Sequence, residues 1–176
     1  FGHHVDDAIR AILARPIDAQ ALGHEITDMR RRLEDSRGRK DLKRGVGGLA
    51  DVEFVVQYLT LIHAAEHPEV LRPNTWEALD ALAAAGALTP ALHDELRDIY
   101  NFLFSVDARL RLIHDRAGAE LPEDPDDLTR LARRLKSDAP DPPDAVSTFL
   151  LDSARYTTRA RAIFQQIIPS RDADAS

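Results

Sequence analysis

Apolar residues recur at helical spacing along most of the chain, and their longest regular run lies between about residues 90 and 116. In this run they alternate steps of four and three: Leu92, Leu96, Ile99, Leu103, Val106, Leu110 and Ile113. Such a heptad pattern is typical of a helix that packs lengthwise against its neighbours in a bundle. Because strand-like alternation is almost absent, the pattern predicts an all-α fold with this long helix at its centre.

Shorter stretches with the same spacing predict further helices on both sides of the long one. They cover about residues 5–14, 19–34, 49–65, 75–85, 123–135 and 145–168. Asn74 or Thr75 can cap the N-terminus of one of them, and Gly86 suits a left-handed residue after its C-terminus. Thr89 followed by Pro90 suits the start of the long helix. We therefore expect a bundle of about six or seven helices.

The stretch at residues 19–34 combines an apolar repeat with a cluster of arginines. Leu22, Ile26, Met29 and Leu33 recur at helical spacing. The arginines at positions 30–32 lie near the C-terminal end of the predicted helix, where cations interact favourably with the helix dipole. We therefore interpret the three arginines as cations that are stabilised by the helix dipole.

A charged stretch rich in glycine, DSRGRKDLKRGVGG at residues 35–48, precedes the next predicted helix. It fits neither a Walker loop nor a dinucleotide fingerprint, which need other glycine spacings. On pattern alone, the simplest interpretation is a flexible connection that turns sharply before a helix. We expect residues 1–40 to hold N-terminal helices and a linker from an upstream domain, and residues 41–176 to form a bundle domain with a polar tail from about residue 169. Because the chain begins at Phe1 rather than at methionine, we expect it to be a piece of a longer protein.

The helix that follows the glycines is apolar on two faces. One face carries Val52, Val55, Val56, Leu59 and Ile62, and Phe54, Tyr58 and Leu61 cover much of another. A helix that is apolar nearly all round is buried. Glu53, Gln57 and Thr60 nevertheless form a polar stripe along it, at steps of four and three.

The two carboxylates at the start of this helix have different interpretations. Asp51 suits the helix N-terminus as a dipole partner. Glu53 lies on a mostly buried helix and therefore needs a partner or a function. Arg109 or Arg111 on the long helix could neutralise it, which would be a purely structural role. Alternatively, the polar stripe faces a neighbouring domain or a nucleotide.

Composition excludes several classes of protein. The formal net charge of −7 argues against a dedicated nucleic-acid binder, and the absence of cysteine excludes disulfides and thiolate metal sites. No apolar run approaches the roughly 20 residues that a bilayer-spanning helix needs. His63 and His67 have the spacing of metal ligands but lack a third ligand, so we expect no metal site. These features fit a cytoplasmic protein.

The segment DLKRGVGGLADVEFVVQYLTLIHA, from Asp41 to Ala64, resembles the glycine-rich signature of the glutamine synthetase adenylyltransferases. The resemblance continues to about Ile168 through helical segments in the same order. The sequence departs from the family at Val46, where proline is frequent, and at Asp107 and Ala108. The resemblance implies a helical domain that packs on a nucleotidyltransferase domain, which carries paired aspartates, magnesium and ATP. No such catalytic motif is visible here, so we expect no catalytic residue in this chain and no activity of the chain alone.

The resemblance also implies a role for the glycine stretch as a surface that closes against the missing catalytic domain near its nucleotide. The predicted site residues are Lys43, Arg44, Gly45, Gly47, Gly48, Asp51 and Glu53. Glycines permit close backbone approach, exposed amides at the helix N-terminus can meet an anion, and the two cations add charge. Asp51 and Glu53 differ by about 200° around a helix. We expect Asp51 to face outward and Glu53 to be the internal anchor.

By the same resemblance, the parent enzyme should transfer AMP to a tyrosine of glutamine synthetase or remove it by phosphorolysis, with ATP and Mg²⁺ as cofactors. Its expected partners are glutamine synthetase and the PII signalling protein. Two alternatives stay open. One is the helical domain of the related uridylyltransferase of the PII protein. The other is an interaction module without catalytic function, which an acidic helical bundle would also suit.

Overall fold

The chain is described by a computed structural model that covers residues 17–36, 41–113, 120–122, 124–135 and 145–171. In chain order, its helices are α1 (Ala19–Ser36), α2 (Leu49–His63), the 3-10 helix Pro68–Val70, α3 (Thr75–Ala84), α4 (Pro90–Ile113), α5 (Pro125–Leu135) and α6 (Ala145–Ile167). The predicted all-α bundle is confirmed. The helix predicted at residues 5–14 lies outside the described residues.

The predicted helix ends are also confirmed. The side chain of Asn74 accepts a hydrogen bond from the amide of Glu77 at 2.9 Å and caps α3. After α3, Gly86 has a φ of 75°, the left-handed conformation that glycine adopts without strain. The hydroxyl of Thr89 accepts a hydrogen bond from the amide of Leu92 at 3.3 Å at the start of α4.

Two helices hold the bundle together. The longest, α4, has 24 residues and packs against α2, α3, α5 and α6, and its heptad residues from Leu96 to Leu110 are buried. Helix α2 packs against α1, α3, α4 and α6. Its residues Val52 and Val55 are completely buried, as expected for a helix with two apolar faces.

The core has two parts. The larger one joins α2, α3, α4 and α6 with Ile26 of α1. The smaller one surrounds α5 and includes Leu131, Phe149 and Leu110. Leu42 belongs to the smaller part, so the stretch before α2 is anchored in the core at its beginning.

Helix α1 departs from the sequence interpretation at two neighbouring residues. Met29 is 52% exposed, whereas Arg30 is only 1% exposed. The helix continues to Ser36, so Arg30 does not lie in the last turn, and its interpretation as a dipole cation is wrong. Its side chain points into the protein because a buried carboxylate, Asp51, lies there.

Among the helices of the described residues, none combines the length and the apolar character that crossing a membrane requires.

Candidate functional site

Residues 41–48 form a compact turn, called here the glycine loop, which leads directly into α2. The carboxylate oxygen Oδ1 of Asp41 accepts hydrogen bonds from the amides of Lys43 at 2.7 Å and Arg44 at 3.0 Å. The amide of Gly45 donates to the backbone carbonyl of Asp41 at 2.6 Å. A backbone with so many internal hydrogen bonds is an ordered turn and not the flexible connection that its composition suggests.

The amides at the start of α2 are also used within the loop. The amide of Leu49 donates to the carbonyl of Leu42 at 2.9 Å, and the amide of Ala50 donates to that of Lys43 at 2.9 Å. The amides of Gly48 and Asp51 likewise donate to loop carbonyl groups. The expectation of exposed amides that could meet an anion here is therefore wrong, because the loop carbonyl groups already occupy them.

A buried ion pair between α1 and α2 holds the backbone of the glycine loop. Nε of Arg30 donates to Oδ1 of Asp51, and the two side chains are 1% and 0% exposed. Nη1 and Nη2 of Arg30 donate to the carbonyl oxygens of Arg44 at 2.9 Å and Gly45 at 2.5 Å. Oδ2 of Asp51 accepts the amide of Gly47 at 3.0 Å. The pair thus binds the loop backbone at three residues, Arg44, Gly45 and Gly47.

Two further charges extend this pair to a neighbouring helix. Nη1 of Arg161 on α6 lies 2.8 Å from Oε1 of Glu34 and 3.5 Å from Oδ2 of Asp51. Arg30 also lies 3.4 Å from Glu34. Two cations and two carboxylates therefore balance each other where α1, α2 and α6 meet.

Two glycines of the loop are required for steric reasons. A Cβ atom on Gly47, whose φ is 72°, would lie 1.9 Å from the backbone carbonyl oxygen of Thr157 on α6. A Cβ atom on Gly48 would lie 2.7 Å from the carbonyl oxygen of Leu42. The close approach is thus to the chain's own backbone.

Glu53 lies on the other side of α2, in a group of charges that the structure brings together. Burial raises its pKa, the nearby Lys43 lowers it, Asp107 raises it and Arg111 lowers it. On α4, Nη2 of Arg111 pairs with Oδ2 of the buried Asp107 at 2.7 Å. The half-buried Glu53 therefore lies in the electrostatic field of a second carboxylate and two cations.

The phenol of Tyr100, which is buried on α4, is influenced by the same charges. Burial raises its pKa, a hydrogen bond with Thr75 opposes this, and the carboxylates of Glu53 and Asp107 raise it further. We call the set Lys43, Glu53, Tyr100, Asp107 and Arg111 the polar face. It combines donors, acceptors and both signs of charge on α2 and α4, with Lys43 added by the glycine loop.

Apolar rings adjoin the polar face on α3 and α4. The ring of Trp76 lies edge-on to the rings of Tyr100 and Phe104, at centroid distances of 4.8 Å in each case. Nε1 of Trp76 donates to Oδ1 of Asn101 at 2.7 Å, and Phe104 is 40% exposed. Aromatic rings and arginine are enriched where a protein contacts another, so the exposed Phe104 and Arg111 suit contact with another domain.

A groove of about 310 Å³ begins at Glu53 and continues the polar stripe of α2. Gln57, Thr60 and Arg72 are among the residues that line it. The hydroxyl oxygen of Thr60 is buried without a hydrogen-bond partner. The predicted stripe therefore opens onto a surface groove.

A larger cavity, of about 410 Å³, lies between α4, α5 and α6. Two of its charged groups are already engaged: Arg109 donates to the carbonyl oxygens of Ser105 at 3.1 Å and Arg134 at 3.2 Å, and Asp152 lies 3.4 Å from Arg155. Arg109 is thus occupied by backbone groups, while Arg111 influences Glu53. Although this cavity is larger than the groove, its arginine is occupied by backbone groups. We therefore place the candidate site at the polar face.

The predicted site residues divide into two groups. One group is buried and comprises Gly45, Gly47 and Gly48 of the loop and Asp51 of α2. The other is only partly buried and comprises Lys43, Arg44 and Glu53. The expected roles of the two carboxylates were wrong, because Asp51 is the internal anchor and Glu53 is the one that borders the surface. That these seven residues form a nucleotide or domain interface stays a prediction.

Metal-binding side chains do not cluster in the parts of the chain that the structure describes, where no three His, Cys, Asp or Glu residues could hold one ion. His67, considered above with His63, instead lies 3.1 Å from Glu69.

The fold and the polar face define a helical-bundle domain in which an exposed arginine and two partly buried charged residues, Lys43 and Glu53, lie around the buried Asp107. The family model described as GlnD PII-uridylyltransferase matches residues 20–168, which is most of the chain. The chain belongs to this family.

The curated relatives of this chain carry the name of a related enzyme. A bifunctional glutamine synthetase adenylyltransferase/adenylyl-removing enzyme of Rhodopseudomonas palustris strain TIE-1 is 34% identical over 182 residues, covering 98% of this chain and 17% of the relative. Enzymes of the same name from Xanthobacter autotrophicus and a Bradyrhizobium species are 34% and 35% identical, covering 96% and 80% of this chain. The chain thus spans about a sixth of the length of these curated relatives.

Replacing Gly47 with alanine should destabilise the chain far more than replacing Gly86 with alanine. Both glycines have a left-handed φ, so both variants incur about 1–2 kcal/mol of backbone strain. Only at Gly47 must the α6 backbone also move, which raises the expected loss to about 4 kcal/mol. Urea unfolding of the two variants measures the difference, and equal losses would contradict the close packing of the loop on α6.

Proposed function

We propose that this chain is the helical domain of a bifunctional glutamine synthetase adenylyltransferase/adenylyl-removing enzyme, and that its polar face packs on a nucleotidyltransferase domain close to the nucleotide. The named relatives and the resemblance of the glycine-rich segment support this proposal. The observation that carries it is the ion pair of the buried Asp107 with Arg111 on α4, one turn after the exposed ring of Phe104, whose charges act on the half-buried Glu53 of α2. Arg111 is exposed, but Glu53 and Asp107 are partly or almost completely withdrawn from water, which is costly for a carboxylate unless it has a partner.

The polar face suits binding and orientation rather than the transfer step. Phosphoryl-type transfer needs carboxylates that hold Mg²⁺. Arg111 pairs with Asp107, and the positive charge of Lys43 acts on Glu53, so both cations would oppose a divalent cation there. The described residues therefore do not fit a magnesium site, and we place no step of the reaction through Mg²⁺ on this chain.

ATP suits this surface better than Mg²⁺ does, because the surface carries cations. Lys43 and Arg44 are partly exposed at the edge of the glycine loop, where they can meet a phosphate of a nucleotide held by the partner domain. Glu53 and Asp107 would orient these cations or accept hydrogen bonds from the partner domain. ATP, with Mg²⁺ held elsewhere in the parent enzyme, is thus part of the proposal.

The proposal extends to partners and location. Glutamine synthetase is the protein named as the substrate of the relatives, and the PII signalling protein is a further partner that the resemblance implies. We propose a cytoplasmic location, which suits a chain without cysteine.

A second candidate function is uridylylation of the PII protein. The description of the matching family model favours it, whereas the names of the relatives favour adenylylation. The helical domain would have the same role in both cases, namely to complete a nucleotidyltransferase.

Label transfer distinguishes these functions. The full-length parent protein should move label from ATP to glutamine synthetase and not from UTP to PII protein, whereas the chain of residues 1–176 alone should move neither. Incubation with Mg²⁺ followed by electrophoresis measures the transfer. Labelling of PII protein from UTP would favour the second candidate, and labelling by the chain alone would contradict the assignment of catalysis to another domain.

Substitutions in the polar face should separate binding from folding. In the full-length enzyme, Glu53→Gln and Lys43→Gln should each lower kcat/KM for ATP in adenylyl transfer at least about tenfold, the size expected for loss of a positioning contact. The melting temperature should stay within about 2 °C, since neither side chain is completely buried.

Glu66→Gln is the matched control, because Glu66 is exposed just after α2 and lies outside the polar face. This variant should change neither the adenylyl transfer nor the melting temperature. Loss of transfer only in proportion to loss of folded protein would mean that the polar face is structural. Asp51→Ala is unsuitable for this purpose, because it would leave the buried Arg30 without its partner.

A further inference from the structure

The glycine loop has few side chains that could pack to define its shape. Three of its eight residues, Gly45, Gly47 and Gly48, have no side chain that could pack, and glycine loses more conformational freedom on folding than any other residue. Its geometry must therefore come from hydrogen bonds. Several of these come from outside the loop, from Arg30 on α1 and Asp51 on α2.

A buried ion pair is a costly way to hold two helices together. Removal of both charges from water offsets much of their attraction, and apolar pairs of similar size often replace such pairs without loss of stability. Arg30 and Asp51 are 1% and 0% exposed, so this cost applies fully to them. Their hydrogen bonds to the loop are what an apolar pair could not provide.

The contacts of Arg30 lie next to the cations of the predicted site. Its guanidinium binds the carbonyl oxygens of Arg44 and Gly45, and Lys43 is the preceding residue. The carbonyl of Lys43 is itself tied to the amide of Ala50 in α2. Arg30 therefore fixes the backbone from which the side chains of Lys43 and Arg44 extend.

We infer that Arg30 is a positioning residue, which acts with Asp51 to hold Lys43 and Arg44 in place for an anionic group of the nucleotide. This inference rests on the proposed function and names a residue outside the glycine-rich segment that carries the family resemblance. Arg30 does not contact the nucleotide. It acts through the loop backbone.

The test replaces the ion pair by an apolar pair. The double variant Arg30→Met/Asp51→Leu should keep its helices, while the amides of Gly45 and Gly47 should exchange with solvent at least 100-fold faster. Hydrogen exchange measured by NMR on the chain reports both, with the amide of Val55 in α2 as the internal reference. Arg161→Gln is the control, since Arg161 belongs to the same charge network but donates to no loop carbonyl in the contacts described.

If the double variant does not fold, Arg30→Lys decides the question. Lysine keeps the positive charge beside Asp51 but lacks the planar fork of donors that reaches both loop carbonyls. It should fold and show the same rise in exchange at Gly45 and Gly47. Exchange at these amides that stays within threefold of the natural chain, in either folded variant, would overturn the inference.

The full-length enzyme supplies the functional part of the test. The folded variant should raise KM for ATP at least tenfold and leave kcat within threefold, a division that general loss of folded protein would not produce. Unchanged KM with rapidly exchanging loop amides would overturn the positioning role. Absence of transfer in the natural enzyme would instead overturn the proposed function, and loop exchange would still decide whether Arg30 holds the loop.

Discussion

The ion pair between Arg30 and Asp51 is the interaction on which the candidate site depends. Both side chains are almost completely withdrawn from solvent, and such a pair is tolerated only when its remaining hydrogen-bonding groups have partners. Here the partners are backbone groups of the glycine loop, with Arg161 and Glu34 completing the charge balance. One interaction therefore joins α1, the loop, α2 and α6 in a single arrangement.

The pair also explains why two carboxylates only two residues apart have different roles. Asp51 turns back from the first turn of α2 towards the loop, where Arg30 and the amide of Gly47 bind it. Glu53 points to the other side of the helix and meets charges of α4 and the loop. The loop backbone is thus held on its buried side by Asp51, while Lys43, Arg44 and Glu53 border the surface.

The helices were predictable from sequence because each depends on local spacing and local caps. The heptad pattern of α4, the cap at Asn74 and the left-handed Gly86 needed no knowledge of distant contacts. Arg30 was not predictable, since arginine is rarely buried and its partner is 21 positions away. The grouping of Glu53 with Asp107 and Tyr100 depends on how α2 and α4 pack, which spacing along one helix does not determine.

We propose that the polar face is covered by another domain in the parent enzyme, and hydroxyl-radical footprinting measures this cover most directly. Phe104 and Trp76 adjoin the polar face, and Phe104 is 40% exposed in the chain. Their oxidation should fall at least about fivefold in the full-length enzyme relative to the chain alone, while that of Leu151, 71% exposed on α6, should stay the same. Equal oxidation of Phe104 and Trp76 in the two proteins would contradict the account.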